Sequence, residues 1–403
     1  MEMAYEYWLA CIRHVPARKK IMLRSEYTDA SQIYYIEETR LYFTEYLNTK
    51  EAEAVIASRR IWDVEKNYRE LCDKSISLVP YFHKGYPERL KETADPPYAL
   101  YVKGQLPDPA KPAAAIVGAR RCSTYGTEQT ERFASRLAQA GVEIISGMAL
   151  GIDGAGQRAA LLAGGGTYAV LGCGADLCYP REHIGLYMDI QRQGGILSEH
   201  PPQTQPLRAY FPKRNRIISA LADIVLVMEA REKSGSLITA DAALEQGKDI
   251  YVLPGPVTSP LSRGCNNLIR QGAGILSSPD ELLADMGILV SSFGLKSDKN
   301  EKMLESPENM VYSCLGLCPK SMGQLAEETG LAPGELLERL AGTGYKPDDY
   351  KYIDLYKEYE QMRRKGEKVT YCVAFLSARH GVSERKVYEI LGRFKKECTF
   401  HAV

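Results

Sequence analysis

The 403-residue chain has no pair of cysteines at CxxC spacing; its ten stand at 11, 72, 122, 173, 178, 265, 314, 318, 372 and 398. That spacing excludes a zinc ribbon and a thioredoxin-type motif. Cys173, Cys178 and His183 come nearest to a metal-ligand cluster, but without the fourth ligand and paired spacing that zinc sites use. Neither GxGxxG nor GxxxxGK[ST] occurs, which counts against a dinucleotide cofactor and a P-loop hydrolase, so no cofactor is expected. No run approaches ~18 uninterrupted apolar residues, so no span across a membrane is expected. The opening MEMAYEYWLACIRHVPARKK lacks the basic and apolar regions of a signal peptide. Scattered thiols, expected to be reduced, fit a cytoplasmic protein. Net charge is absent too: 51 basic and 51 acidic side chains cancel. A histone-like polycation is thereby excluded, and any nucleic-acid surface must be a local patch.

What remains is a globular composition, 45% apolar and 25% charged, in a chain long enough for two or three domains. Residues 1–90 carry apolar side chains at helical spacing in places (Tyr7, Leu9, Ala10; Val55, Ile56, Ile61) and read as a small helical region. The stretch 86–104, punctuated by Pro87, Pro96 and Pro97, reads as a lead-in to the next domain. Six apolar runs then follow: AAAIVG (113–118), VEIISG (142–147), TYAVLG (167–172), GGILSE (194–199), ADIVLVME (222–229) and DIYVLPG (249–255). They recur at intervals just under the ~30 residues of a βαβ unit. Nearly continuous apolarity marks strands buried on both faces of a parallel sheet. Residues 91–290 therefore predict an α/β domain, a six-stranded, Rossmann-like doubly wound sheet.

Residues 291–309 are polar and read as a linker. Short helices are expected over 310–342, and a helix-turn-helix-like module over 343–403, divided at Gly381 and capped by Ser383. An αα-hairpin for protein contact fits the same pattern, since Arg379, Arg385, Lys386 and Arg393 are offset by Glu384 and Glu389.

In an open parallel sheet, ligands bind beyond the carboxyl ends of the strands. Those ends read VGARR, SGMALGID, LGCGAD, SEHPP, MEAREKSGS and LPGP. Glycines such as Gly147 and Gly235 let a ligand approach the backbone, and helix N-termini favour anions. Arg120, Arg121, Arg231 and Lys233 add full charges, which points to phosphate over packing alone. The stretch PLRAYFPKRNR places Arg208, Lys213, Arg214, Asn215 and Arg216 around Tyr210 and Phe211. Cations with an aromatic face suit a single strand; a solvated basic loop with a packed aromatic anchor fits equally. The six histidines show no triad spacing, and Asp153 and Glu199, the candidate acids, stand where carboxylates commonly cap helices or pair with arginine.

With those residues in view, positions 86–290 closely resemble the DNA-processing protein A (DprA, or Smf) family. The pieces are YPERL, DPPYALYVKG, VGARRCSTYG, SGMALGIDGAG, AVLGCGADLCYP, ILSEHPP, FPKRNRIIS, VMEAREKSGSLITA, PGPVTSPLSRGCNNLI and QGA, in family order. The resemblance implies a single-strand-binding homodimer that protects incoming DNA and helps load the RecA recombinase in natural transformation, without enzymatic activity. It implies that Arg120 holds a phosphate, that Arg208 and Phe211 with Lys213, Arg214 and Arg216 line the strand, and that Ser234, Gly235 and Ser236 offer backbone donors. Residues 265–282 would carry the dimer and RecA surfaces. The chain departs from the family in having Gly156 and Gln157 where the GIDxxAH segment has histidine, and His183 where asparagine is usual. It also lacks helix-hairpin-helix glycines near the N-terminus. The resemblance implies a partial winged-helix-like segment over 310–342 that begins at Val311 and breaks off near Gly342, and the last sixty residues look unlike the family. Two other readings compete. A Rossmann-like nucleotide phosphoribohydrolase would need PGGxGTxxE, where this chain has SGSLITADAALE; a duplex-DNA regulator would use the C-terminal module.

Overall fold

The computed structural model describes residues 2–288, together with 355, 358–359, 362–363 and 369–388. Contacts divide the chain into two units, Met1–Ser291 and Ser292–Val403. In the first, six helices precede the sheet: α1 (Glu2–Cys11), α2 (Ala17–Ser25), α3 (Ala30–Tyr35), α4 (Glu38–Phe43), α5 (Thr49–Ile61) and α6 (Val64–Asp73). Local chemistry starts several of them. Asn48 and Glu51 form a reciprocal capping box on α5, while Asp29 and Asp63 cap α3 and α6. The six helices share a core with the sheet: Trp8, Leu23 and Val55 cluster with Leu78, Tyr101, Ala169 and Ile196.

All six expected strands form: β3 (Ala113–Val117), β4 (Glu143–Ser146), β5 (Thr167–Leu171), β6 (Gly195–Ser198), β7 (Ile224–Val227) and β8 (Asp249–Val252). They pair parallel to one another. The sheet nevertheless has nine strands, in the order β1-β2-β6-β5-β4-β3-β7-β8-β9. The additions are β1 (Ser77–Pro80), β2 (Ala99–Gly104) and the two-residue β9 (Gly274–Ile275). β1 lies inside the stretch read as helical, and β2 inside the proline-punctuated lead-in. Both run antiparallel, β2 against β6 and β1 against β2, so they need none of the crossover helices that made the other six visible.

Residues of one strand alternate between two cores. Ala113, Ala115 and Val117 join Ile217, Ile218, Leu221 and Ala240, which belong to α11 (Tyr210–Leu221) and α12 (Gly235–Glu245). Ala114 and Ile116 join Phe133, Leu137 and Ala160 of α8 (Thr124–Gln139) and α9 (Ile152–Leu162). The period of two in the strand thus assigns each helix pair its face.

In the second unit, helix α15 (Val369–His380) ends at Gly381, whose φ of +66° is the left-handed cap that glycine favours. Ser383 Oγ then accepts from Lys386 N at 3.3 Å to open the helical stretch 384–388. Leu355, Tyr359, Cys372, Val373, Leu376 and Val387 form its core. The linker at 291–309 and the segment 310–342 lie outside the described residues, as does Arg393.

Candidate nucleic-acid interface

Strand order reverses between β3 and β7, and a doubly wound sheet opens its ligand crevice at such a point. Beyond those two strand ends lies a cavity of about 630 Å³. Gly118, Arg120, Ala149, Asp153, Tyr179, Arg208, Phe211, Arg214, Asn215 and Ser234–Ser236 contribute to its walls. A smaller depression of about 540 Å³ at Lys248–Tyr251 and Gln271–Gly274 has no arginine in its wall.

The two helix N-termini flanking the switch point are not equivalent. That of α8 is already neutralised: Glu229 accepts from Ser123 N at 2.8 Å and from Ser123 Oγ at 2.5 Å. Gly126 leaves the room this requires, because a Cβ there would collide with the Glu229 carboxylate. The N-terminus of α12 is open instead. Ser234 caps it through Ser236 N at 3.4 Å, and nothing lies within 4 Å of where a Gly235 Cβ would stand. An anion therefore meets the Gly235 N–H, which finds no acceptor among the described residues, at the head of α12 and a carboxylate at α8.

Phe211 sits centrally. A Cβ on Gly172 would lie 3.0 Å from its Cδ1, so the glycine ending β5 lets the ring settle over the sheet edge. The Tyr179 ring is 5.4 Å away at 37°. The guanidinium carbons of Arg120 and Arg214 lie 5.7 and 6.0 Å from the Phe211 centroid, within cation–π range.

Helix geometry sorts the basic stretch. Consecutive residues diverge by about 100°, so Phe211, Arg214, Asn215 and Ile218 face the cavity while Lys213 and Arg216 turn away. Arg216 Nη2 donates to Glu199 Oε2 at 2.6 Å and its Nε lies 3.4 Å from Asp95 Oδ2. Lys213 Nζ stands 4.0 Å from the same Glu199 oxygen.

Arg214 is buried. Its Nη1 donates to Gly147 O at 2.9 Å and also to Val170 O, tying together the ends of β4 and β5. Gly147 does not line the cavity; it is packed against Arg214 so closely that any Cβ would strike the guanidinium. Below lies Asp153, accepting from Gly147 N at 3.2 Å and Ala149 N at 3.4 Å. Burial raises the Asp153 carboxyl above its usual range, opposed by Arg214. It lowers the Arg214 guanidinium to about 10, opposed by Asp153. Both acids singled out in the sequence thus stand against arginines.

Of the remaining predicted positions, Arg120 and Arg208 are exposed at the cavity, whereas Arg121, Arg231 and Lys233 are exposed outside its lining. Tyr179, a ring sequence reasoning missed, reaches the site from the Cys173–Pro180 loop; its position beside LGCGAD was the available signal. The cysteines of that loop bond main-chain carbonyls, Cys173 to Leu177 O and Cys178 to Pro180 O. His183 Nδ1 lies 3.0 Å from Met148 O, behind the loop that carries Ala149. Gln157 is buried and donates to Tyr168 O at 3.1 Å, near the start of β5 and away from the cavity. That departure therefore leaves the cavity wall untouched.

Comparison with known proteins supplies relatives for this geometry. The profile of the family described as DNA recombination-mediator protein A matches residues 77–287. Protein Smf of Escherichia coli strain K12 is 44% identical over 237 residues, covering 59% of this chain and 61% of that protein. The DNA processing protein DprA of Streptococcus pneumoniae is 43% identical over 200 residues, or 50% and 71% of the two chains. An X-ray structure of DNA processing protein A from Streptococcus pneumoniae superposes with a TM-score of 0.61 at 31% identity. It covers 70% of this chain and 97% of that one. The match to the Escherichia coli protein thus spans less than two thirds of that relative's length.

Proposed function

Because the chain belongs to the DNA recombination-mediator protein A family, we propose that it binds single-stranded DNA at the cavity between β3 and β7 and does no chemistry on it. The observation that carries this is Phe211, a ring held at the switch point between Arg120 and Arg214 and beside the open N-terminus of α12. An unstacked base lies on the ring, Arg120 and Arg208 grip the flanking phosphates, and the Gly235 N–H at the head of α12 donates to a further phosphate oxygen. Duplex DNA, whose bases are already stacked, gains nothing from the ring. Arg214 acts from beneath, holding the two strand ends that support Phe211. Lys213 and Arg216 belong to the opposite flank of α11, where Glu199 and Asp95 offset the charge of Arg216 while Lys213, 4.0 Å from Glu199, stays exposed.

The proposal extends, on the family resemblance, to protection of incoming DNA and loading of a RecA recombinase, by a cytoplasmic homodimer joined through residues 265–285. In support of a self-contact there, β9 forms one edge of the sheet and its Ile275 is 53% exposed. Among the described residues no helix is long and apolar enough to cross a membrane.

The test is binding of a labelled oligonucleotide, single-stranded against double-stranded, across a salt series. Phe211→Ala should cost ~1–3 kcal/mol on the single strand and little on the duplex, with the salt slope near wild type. Arg208→Ala should lower the slope. A wild-type protein that shows no preference for single strands and releases base from nucleoside monophosphate would refute the proposal in favour of a phosphoribohydrolase.

A further inference from the structure

α11 carries a second aromatic surface that the cavity does not contain. Tyr210 precedes Phe211, so its ring leaves the helix on the flank facing β6 and not the cavity. There it stacks on His200, with centroids 4.1 Å apart and planes inclined by 32°. Both rings are half-buried. Lys213, one turn further on, is 53% exposed at its side chain on the same flank, and exposed Arg208 stands just ahead of the helix at the cavity lip.

We propose that Tyr210, backed by His200, is a second base-stacking platform. It would take the neighbouring nucleotide of the single strand whose first base lies on Phe211, with Arg208 and Lys213 holding the phosphates on this side. The inference rests on the single-strand reading of the cavity and adds a subsite to it. Two rings diverging by about 100° from consecutive positions of one helix splay successive bases onto different flanks of its first turn, which a continuous stack cannot follow. The arrangement thus selects a flexible strand. Glu199 does not cancel the site, because its carboxylate is already engaged by Arg216 at 2.6 Å, leaving Lys213 at 4.0 Å with its side chain exposed. Burial, reinforced by the cations Lys213 and Arg216, holds the His200 imidazole below its ordinary range against the opposing pull of Glu199. The ring backing Tyr210 is thereby biased toward its neutral form, which adds no charge beside Lys213.

The experiment uses the full chain and fluorescein-labelled dT15, with a duplex of equal length as control. Tyr210→Ala should weaken dT15 binding by about five- to fiftyfold without changing the salt slope, whereas Tyr210→Phe should stay within about twofold of wild type. Lys213→Gln should reduce the slope by roughly one contact. In Tyr210→Ala/Phe211→Ala the two losses should multiply. Should Tyr210→Ala fail to fold, Tyr210→Trp supplies the readout, its emission quenched on adding unlabelled dT15. Tyr210→Ala binding like wild type, or an unquenched Trp, overturns the second platform while a loss in Phe211→Ala keeps the first. A wild type without single-strand preference removes the functional reading itself.

Discussion

Replacing Arg214 by methionine should unfold the site before it affects any contact with DNA. Arg214 is 4% exposed and donates to the carbonyls of Gly147 and Val170, while Asp153, 7% exposed, draws on its charge. Arg214 and Asp153 are opposite charges buried together without a direct ion pair. Removing the guanidinium therefore costs no more than breaking a buried pair, about 3–5 kcal/mol, through the uncompensated carboxylate and the two carbonyls left without a donor. Asp153 retains donors at Gly147 N and Ala149 N, so the lower end, about 3 kcal/mol, is expected. With a urea slope near ~3 kcal/mol per molar, the midpoint should fall by roughly 1 M. Tryptophan emission reports it cleanly, since the chain's two tryptophans, Trp8 and Trp62, both lie in the unit Met1–Ser291. Arg214→Met/Asp153→Asn should regain part of the loss, because the stranded charge is gone. A loss below about 1 kcal/mol, with single-strand affinity abolished, would show Arg214 to be a direct DNA contact and refute this reasoning.

Three further outcomes are expected. Arg120→Ala should weaken binding to every single-stranded sequence and lower the salt slope by about one phosphate contact, with the urea midpoint unchanged; an unaltered affinity at moderate salt takes Arg120 out of the site. Lys20 is 5% exposed, its amine donating to Ala10 O at 2.7 Å and depressed by burial from 10.5 to about 8. Between those two values the unfolded chain binds the extra proton, so stability should climb with pH from 8 to 10.5, by up to about 3 kcal/mol relative to Lys20→Met; parallel pH profiles for the two proteins would contradict the burial argument. Sedimentation should show a dimer at micromolar concentration that Ile275→Lys disperses, and a wild type that stays monomeric would remove residues 265–285 as a self-contact.

Six parallel strands were legible in the sequence because burial on both faces leaves continuous apolar runs, and helix-length stretches between them fix the connections. β1 and β2 escaped: an antiparallel edge needs no such spacing, and the prolines around β2 resemble a linker. Motif order alone identified the family, and the sheet edge carrying Arg120, Phe211 and Ser234–Ser236 was visible as glycines and arginines at strand ends. Which of those residues converge was decided in three dimensions. The linear cluster PLRAYFPKRNR holds five basic or amide side chains within nine positions, yet the turn of α11 sends Arg214 and Asn215 to the cavity and Lys213 and Arg216 to Glu199. Likewise every strand-to-helix turn offers backbone donors on paper. Only the packing of Glu229, distant in sequence, onto Ser123 closes the N-terminus of α8 to anions and leaves that of α12 open. Sequence periodicity sets which face a side chain takes on its own element; the partner on that face comes from another element, and it decides whether a charge is spent inside the fold or offered to a ligand.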